Sequence, residues 1–529
     1  MRPRLRNKGL PVKGRRRTRW LARRLVLTFG LMLAAVTAPW GHGLGARTSA
    51  AGAVQRPNIV FVLTDDLDWS LVTAQYMPHV IALEGTGETF DHYIVADSLC
   101  CPSRSSIFTG LFPYDSGVYT NTGTDGGYYA FTHHRPNLET KTFAVAMQRA
   151  GYLTSMMGKY LNGYGEPAMT SQVPRGWSDW HVAGNAYPEF NYDLNENGAR
   201  VHYGPGPPPA ANGANYLTDV LAARASTFID RAAAAHKPFV MEVATFAPHR
   251  PYTPAPRNSH DFPGLRAPRD PSFNAANANP PDWLGGRKRL TPAQVAKIDR
   301  EYRMRAQAVQ AVDRLLGLVE ARLAARGLAR NTYIVFSSDN GYHMGQHRLL
   351  PGKETAFDTD IRVPLIIAGP GVPHGKVSSQ VVQNVDLYPT FVELAGRRPV
   401  GSVDGQSLLP LLDPPAGGAV AWPTVALIEH HGPSDVRDPD FENGELGGNP
   451  SAYEAIRISN RQFGNAVYVE YEKTGKREYY NIDQDPYRRE NTYRLLSANT
   501  RARLHKTLLG LERCHTAAAC WAAADPRVG

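Results

Sequence analysis

Four side chains that carry oxygen follow two apolar runs typical of buried strands. The runs are Asn58–Leu63 and Tyr333–Ser337, and the side chains after them are those of Asp65, Asp66, Asp339 and Asn340. Because ligand sites gather at the carboxyl ends of strands in an open α/β sheet, we expect the four to meet. Three carboxylates with one amide oxygen suit a hard cation such as Ca²⁺ or Mg²⁺, and not zinc. Taken singly, each pair is more typical of a turn or a helix cap.

A second chemical signal is the string Leu99–Gly110, LCCPSRSSIFTG. Its centre, Cys100-Cys101-Pro102-Ser103-Arg104, fits the CxPSR pattern that resembles the signature of type I sulfatases, which depend on formylglycine and belong to the alkaline phosphatase superfamily. Further segments resemble the same family in the same order and extend the similarity over roughly residues 58–410. They are Asn58–Asp66, Gly158–Gly165 (GKYLNGYG), Phe246–Pro251 (FAPHRP) and Ser338–Gly369.

The resemblance implies a specific role for Cys100. In the family this cysteine is the precursor of formylglycine, an aldehyde that a formylglycine-generating enzyme installs. One hydroxyl of the hydrated aldehyde, activated by the metal, attacks sulfur and expels the alcohol. The second hydroxyl then loses its proton, so the enzyme-bound sulfate leaves by elimination. The implied activity is hydrolysis of sulfate esters in a sulfated small molecule or glycan.

A sulfate ester is an anion, so the site also needs cations. By resemblance, Arg104 fixes the aldehyde hydrate and the metal ligands, while Lys159 and Lys353 contact the sulfate. His249 corresponds to the histidine near the leaving-group oxygen. The metal, most often Ca²⁺ with Mg²⁺ as the alternative, would be bound by Asp65, Asp66, residue 100, Asp339 and Asn340. Surface lysines and a hydrogen-bonded core histidine are the structural alternatives.

One position departs from the common family pattern. Many members have a histidine two residues after the first lysine, whereas Lys159 is followed by Tyr160, Leu161 and Asn162. GKYLNGYG instead resembles a branch that includes N-acetylglucosamine-6-sulfatases and extracellular heparan endosulfatases, here in a bacterial version. The identity of the general acid or base therefore stays open, with His343 and His347 as candidates that surface or helix-face roles explain equally well. Cys101 has no assigned chemistry, and we expect it to be buried packing.

The apolar runs predict the fold class. Strands are expected at Asn58–Leu63, Phe239–Phe246, Tyr333–Ser337 and Leu365–Ala368. A long amphipathic helix is expected from Thr291-Pro292 to Gly327. This alternation indicates an α/β fold, and the resemblance implies an alkaline-phosphatase-like mixed sheet flanked by helices.

The chain divides into three predicted regions: an export leader at 1–50, a catalytic α/β domain at 55–403 and a smaller C-terminal α+β domain at 404–529. In the last region the pattern predicts an antiparallel sheet and a closing helix around Arg501–Arg513. Its strands are expected at Thr424–Glu429, Tyr453–Ser459, Ala466–Glu472 and Arg477–Ile482. Gly204–Gly213 and Thr253–Gly286 are long loops, and the second is expected either at the substrate rim or as a plain surface loop.

The basic charge belongs to the leader. The chain has 58 Lys and Arg against 48 Asp and Glu, but residues 1–50 hold 12 of the basic residues and no acid, so the rest is 46 against 48, a net of −2. This excludes nucleic acid as the expected partner. The apolar run Leu25–Ala38 is short for a membrane span, and Arg23-Arg24 resembles a twin-arginine export signal. We expect a secreted, periplasmic or envelope protein with no stable membrane span, the alternative being an uncleaved anchor.

Two cysteines near the end, Cys514 and Cys520, are separated by five residues. Export would place them in an oxidising compartment, so a disulfide is expected. A metal site with help from His515 is the alternative. Asp68 and Asp97 match no ligand position and are expected at the surface.

Two other functions compete with sulfate ester hydrolysis. Related enzymes that share the metal set hydrolyse phosphonate monoesters or phosphodiesters. A protein with an unmodified Cys100 could instead bind sulfated glycans without turnover.

Overall fold

The computed structural model describes residues 56–134, 138–166, 169–204, 214–414, 420–432, 438, 443–448 and 450–525. The predicted leader with Arg23-Arg24, and Pro205–Gly213 of the first long loop, lie outside the described residues. The described residues belong to one compact unit.

A ten-stranded mixed sheet forms the centre of the fold. Its strand order is β11-β2-β10-β9-β1-β8-β4-β5-β6-β7. The strands of this and the two smaller sheets are β1 (Asn58–Thr64), β2 (Glu88–Phe90), β3 (Tyr93–Ile94), β4 (Leu153–Lys159), β5 (Asp179–Ala183), β6 (Tyr192–Glu196), β7 (Ala199–Tyr203), β8 (Phe239–Ala244), β9 (Thr332–Ser338), β10 (Leu365–Ala368), β11 (Lys376–Ser378), β12 (Val382–Gln383), β13 (Val425–His430), β14 (Tyr453–Asn460), β15 (Gly464–Glu470) and β16 (Arg477–Asn481). The strands β9, β1, β8, β4 and β5 run parallel. The predicted α/β class is confirmed.

Helices cover both faces of this sheet, and the last two in chain order belong with the smaller C-terminal sheet. They are α1 (Pro78–Thr86), α2 (Cys100–Thr109), α3 (Pro113–Ser116), α4 (Gly127–Tyr129), α5 (Phe143–Arg149), α6 (Leu217–Ala235), α7 (Pro292–Ala325), α8 (Asp358–Ile361), α9 (Leu387–Leu394), α10 (Leu409–Leu412), α11 (Ala498–Leu511) and α12 (Ala517–Ala524). The long helix α7 begins as predicted, because Thr291 and Gln294 form a capping box and Pro292 occupies the first helical position.

The central strand β1 shows why its sequence is uniformly apolar. Ile59, Phe61 and Leu63 belong to the core on one face of the sheet. Val60 and Val62 belong to the core on the other face, which α6 and α7 cover. A parallel strand buried on both sides must be apolar at every position.

The C-terminal part forms the expected antiparallel sheet, in the order β13-β14-β15-β16. Leu504 and Leu508 of α11 pack on this sheet through Ile456 and Ile458. The predicted Cys514–Cys520 disulfide is present and links the end of α11 to α12. The domain boundary at 403/404 stays a prediction.

Two expectations about surface residues are wrong. Asp68 is buried and pairs with Arg305 at 2.9 Å between carboxylate oxygen and guanidinium nitrogen. Asp97 is fully buried because β13 covers it, with the Glu429 N–H donating to the Ala96 carbonyl at 2.7 Å. Neither burial is visible in the local sequence, since the covering elements come from far along the chain.

Over the described ranges, no helix combines the length and apolar character needed to cross a membrane.

Candidate active site

The first pair of carboxylates lies at the carboxyl end of β1. Adjacent residues of a strand point to opposite faces, but β1 ends at Thr64 and Asp66 adopts a left-handed φ of +66°. Asp and Asn tolerate this conformation better than other side chains. The turn brings both carboxylates toward the same site, and both residues are buried.

Helix α2 positions the CxPSR residues. The helix begins at Cys100, and every one of its residues is buried. Residues four apart lie on the same face of a helix, so Arg104 sits one turn behind Cys100. The Arg104 Nε–H donates to Asp339 Oδ2 at 2.7 Å, and Nη1 donates to the Lys159 carbonyl at 2.9 Å. The arginine therefore ties together the ends of β9 and β4.

Two lysines converge on the Cys100 sulfur. Lys159 is the last residue of β4, and its Nζ lies 3.2 Å from Cys100 Sγ and 2.6 Å from Asp65. Lys353 lies in the loop between β9 and α8, with Nζ 3.0 Å from the same sulfur and 2.6 Å from Asp66. The thiol donates to Asp65 Oδ1 at 3.3 Å. The two lysines therefore approach Cys100 from different elements.

Burial and neighbouring charges act in opposite directions on the pKa values of this cluster. Burial alone would lower the pKa of Lys159, but Asp65 and Cys100 raise it well above its usual range. Burial would raise the pKa of Asp339, yet Arg104 and the two lysines hold it below its usual range. For Asp65, burial prevails over Lys159, and its pKa is raised. The crowding of carboxylates expected from the sequence is thus relieved by cationic side chains.

The residues also fit a hard cation. One ligating atom each from Asp65, Asp66, Cys100 and His249 lies within 4.8 Å of the others. Asn340 Nδ2 donates to Asp66 Oδ1 at 2.7 Å, while its buried Oδ1 has no hydrogen-bond partner among the described residues. Asp339 is outside that group of four, and its Oδ1 accepts from the Asp66 and Asn340 backbone N–H groups. An orphaned amide oxygen beside three carboxylates matches the donor set that Ca²⁺ prefers.

Tyr187 is a site residue that the sequence analysis missed. The His249 ring lies 4.5 Å from its ring, between centroids, and Lys159 Nζ lies 5.0 Å from its centroid. Asn162 donates from Nδ2 to the Tyr187 hydroxyl at 3.3 Å. Tyr187 follows β5, which runs parallel to β4 with Ala183 opposite Lys159. The short strand Asp179–Ala183 (DWHVA), in which Trp180 and Val182 alternate with polar residues, was the signal that could have located it.

His343 and His347, the candidates for the general acid or base, form other contacts, and so does Cys101. His343 is buried, and its Nδ1 lies 3.0 Å from both Asp360 carboxylate oxygens. His347 bonds to Asn277 at 2.8 Å and stacks on Phe357. Cys101 is buried as expected; it accepts the Asn162 N–H at 3.0 Å, and burial raises its pKa to about 12.

The chain is similar to known proteins in sequence and in fold. The sulfatase family model matches residues 57–397. Human N-acetylglucosamine-6-sulfatase is 34% identical over 90% of this chain and 87% of its own length. A Drosophila melanogaster extracellular sulfatase homolog is 34% identical over 75% of this chain and 35% of its own length. A solved structure in complex with its substrate D-glucosamine-2-N,6-O-disulfate superimposes with a TM-score of 0.70 at 22% identity, over 87% of this chain and 98% of that one.

The fold is of the alkaline-phosphatase-like class. Within that class, the chain belongs to the sulfatase family and is a sulfuric ester hydrolase.

Proposed function

We propose that this protein removes the 6-O-sulfate of an N-acetylglucosamine residue in a sulfated glycan, with formylglycine made from Cys100 as the nucleophile. The observation that supports it best is the convergence of Lys159, Lys353 and Asp65 on the Cys100 sulfur, within 3.0 to 3.3 Å. An aldehyde hydrate at that position would supply the attacking oxygen and allow sulfate to leave by elimination.

Chain residues around position 100 divide the remaining tasks. Lys159 and Lys353 would neutralise the sulfate oxygens, and Arg104 would hold position 100 against Asp339. His249 donates from Nδ1 to the Arg250 carbonyl at 2.7 Å, and its Nε2 lies 3.6 Å from Asp66 Oδ2. We assign to Nε2 the exchange of a proton with the leaving-group oxygen.

The proposed cation is Ca²⁺, with Mg²⁺ as the alternative. The residues that would hold it are Asp65, Asp66, position 100, Asp339 and Asn340. When bound, the cation acts as a Lewis acid toward the sulfate and the nucleophile.

The substrate class rests on the similarity to N-acetylglucosamine-6-sulfatase over most of both chains. Asn162 supports the same assignment, because it belongs to the segment GKYLNGYG, which resembles this branch. The partners that follow are a sulfated glycan and the formylglycine-generating enzyme that modifies Cys100.

Sulfate release from N-acetylglucosamine 6-sulfate tests this substrate assignment. We expect kcat/KM about 10-fold or more above that for N-acetylgalactosamine 4-sulfate, because the leaving-group sugar must fit the site. An aryl phosphodiester serves as the comparison for the phosphodiesterase alternative. Faster turnover of the phosphodiester than of every sulfate ester would overturn the proposal.

We also propose export from the cytoplasm, by a twin-arginine route, with the leader at 1–50 removed. The Cys514–Cys520 disulfide and the relative named as extracellular support this location. The catalytic region would then be 55–403, followed by the smaller domain at 404–529.

A further inference from the structure

A basic cleft of about 730 Å³ lies on the loop that leads to Lys353. We define it by Arg287, Lys288, Arg289 and Arg348, together with Trp283. The carboxylate in its lining, Asp282, pairs with Lys476 at 3.4 Å. The cleft therefore presents at least three cations, those of Lys288, Arg289 and Arg348, whose charge its own lining does not cancel.

Three cations of this cleft have no acidic partner in the described part of the chain. Lys288, Arg289 and Arg348 form no ion pair with any residue of the described ranges. Arg348 adopts a left-handed φ of +63° and donates from Nη1 to the Arg287 carbonyl at 2.8 Å. This hydrogen bond holds the guanidinium of Arg348 in the wall of the cleft.

The cleft is joined to the active site by a short, pinned segment. Arg348 precedes Lys353 by five residues, so the two α-carbons lie at most about 18 Å apart. Leu350 N–H donates to the Leu446 carbonyl at 2.8 Å, and Asn443 Nδ2 donates to the Pro351 carbonyl at 2.7 Å. A ligand in the cleft would therefore lie close to the segment that ends at Lys353, the residue that contacts Cys100.

We propose that this cleft binds a second anionic group of the substrate, a sulfate or carboxylate on a sugar beyond the one that is desulfated. Arginine pairs with such planar or tetrahedral oxyanions through charged hydrogen bonds. Trp283, half-buried at the wall, adds an aromatic surface of the kind that packs against a sugar ring. This inference rests on the proposed function and extends it to multiply sulfated oligosaccharides.

The test compares two oligosaccharides that share a terminal N-acetylglucosamine 6-sulfate, one with further sulfates and one without. In the variant Lys288→Ala/Arg289→Ala, we expect the ratio of their KM values to shift about 5- to 10-fold against the multiply sulfated one, since two charge contacts are lost. Both side chains are exposed, so the fold should be kept. The matched control is Arg397→Ala/Arg398→Ala, an exposed basic pair after α9, which should leave the ratio unchanged.

An unchanged ratio in the Lys288→Ala/Arg289→Ala variant would overturn the proposed subsite. Calorimetric binding of the multiply sulfated oligosaccharide gives an answer that does not depend on turnover. If the wild-type protein binds it more tightly than the variant but hydrolyses neither sugar, the cleft stands and the proposed substrate fails. Equal binding by both proteins would refute the cleft, whatever the turnover.

Discussion

Asp339 illustrates how single residues in this site serve two groups at once. Its Oδ2 accepts from Arg104, and its Oδ1 accepts from the backbone N–H groups of Asp66 and Asn340. The sequence identified this residue because the metal motif is local. It could not show that Asp339 also fixes Arg104, because that contact joins residues 235 positions apart.

Removing the Asp339 carboxylate tests its role in metal binding. We expect Asp339→Ala to lose both the bound cation and sulfatase activity, because a carboxylate of the ligand set is gone and Arg104 is left with an uncompensated charge. Elemental analysis of the purified variant measures the first effect. Asp219→Ala, which breaks a surface ion pair with Arg257, is the control and should keep its metal. Full metal content in the Asp339 variant would show that the ligand set is misassigned.

Tyr187 tests a residue outside every recognised motif. Its ring contacts Lys159 and His249, so Tyr187→Ala should lower kcat by about 5- to 30-fold through loss of the cation–π contact. Tyr187→Phe keeps the ring and should recover most of that loss. A steady-state measurement of kcat and KM on an aryl sulfate separates positioning from binding. Equal loss in both variants would assign the effect to the hydroxyl instead.

At the scale of elements, the site depends on strand ends that meet at one edge of the sheet. The sequence predicted β1, β8, β9 and β10 because their apolar runs are continuous. It missed β4 to β7, since Leu153–Lys159 contains threonine, serine and glycine, and β5 is short and includes Asp179 and His181. Lys159 was still identified from its motif, whereas Tyr187, which depends on the β4–β5 pairing, was not.

Gly158 holds the end of β4 against β8. Its φ is +93°, and a Cβ there would lie 1.9 Å from the Ala244 carbonyl oxygen. Gly158→Ala should therefore displace Lys159, abolish most activity and lower the free energy of unfolding by more than about 1 kcal/mol. Gly151→Ala is the matched control, because Gly151 has a φ of +86° with no atom within 4 Å of the added Cβ. Comparable melting temperatures and activities for the two variants would contradict this account.

At the scale of the whole molecule, a carboxyl group buried in the core predicts that the stability of the fold depends on pH. Glu242 lies in β8, fully buried, and its carboxylate oxygens have no hydrogen-bond partner among the described residues. Burial raises its pKa to about 8, above the value of about 4.3 expected in the unfolded chain. A carboxyl group whose pKa is higher in the folded than in the unfolded chain contributes stability at pH values below the unfolded pKa. That contribution is lost as the pH rises through the folded pKa.

Glu242→Gln removes this ionisation. The melting temperature of the variant relative to wild type should therefore increase between pH 5 and pH 8. The size of this increase should reflect the free energy that corresponds to the difference between the folded and unfolded pKa values of Glu242. Glu393→Gln, an exposed substitution in α9, should show no such trend. Parallel wild-type and Glu242→Gln curves across this range would mean that Glu242 is not neutral in the folded protein.

The central claim is that position 100 carries the catalytic aldehyde. Mass spectrometry of the peptide containing residue 100 tests it, with protein made in a host that has the formylglycine-generating enzyme and the Cys100→Ala variant as the control. The account predicts formylglycine in place of the thiol, together with sulfatase activity that the variant lacks. An intact thiol in protein that still hydrolyses sulfate esters would contradict it.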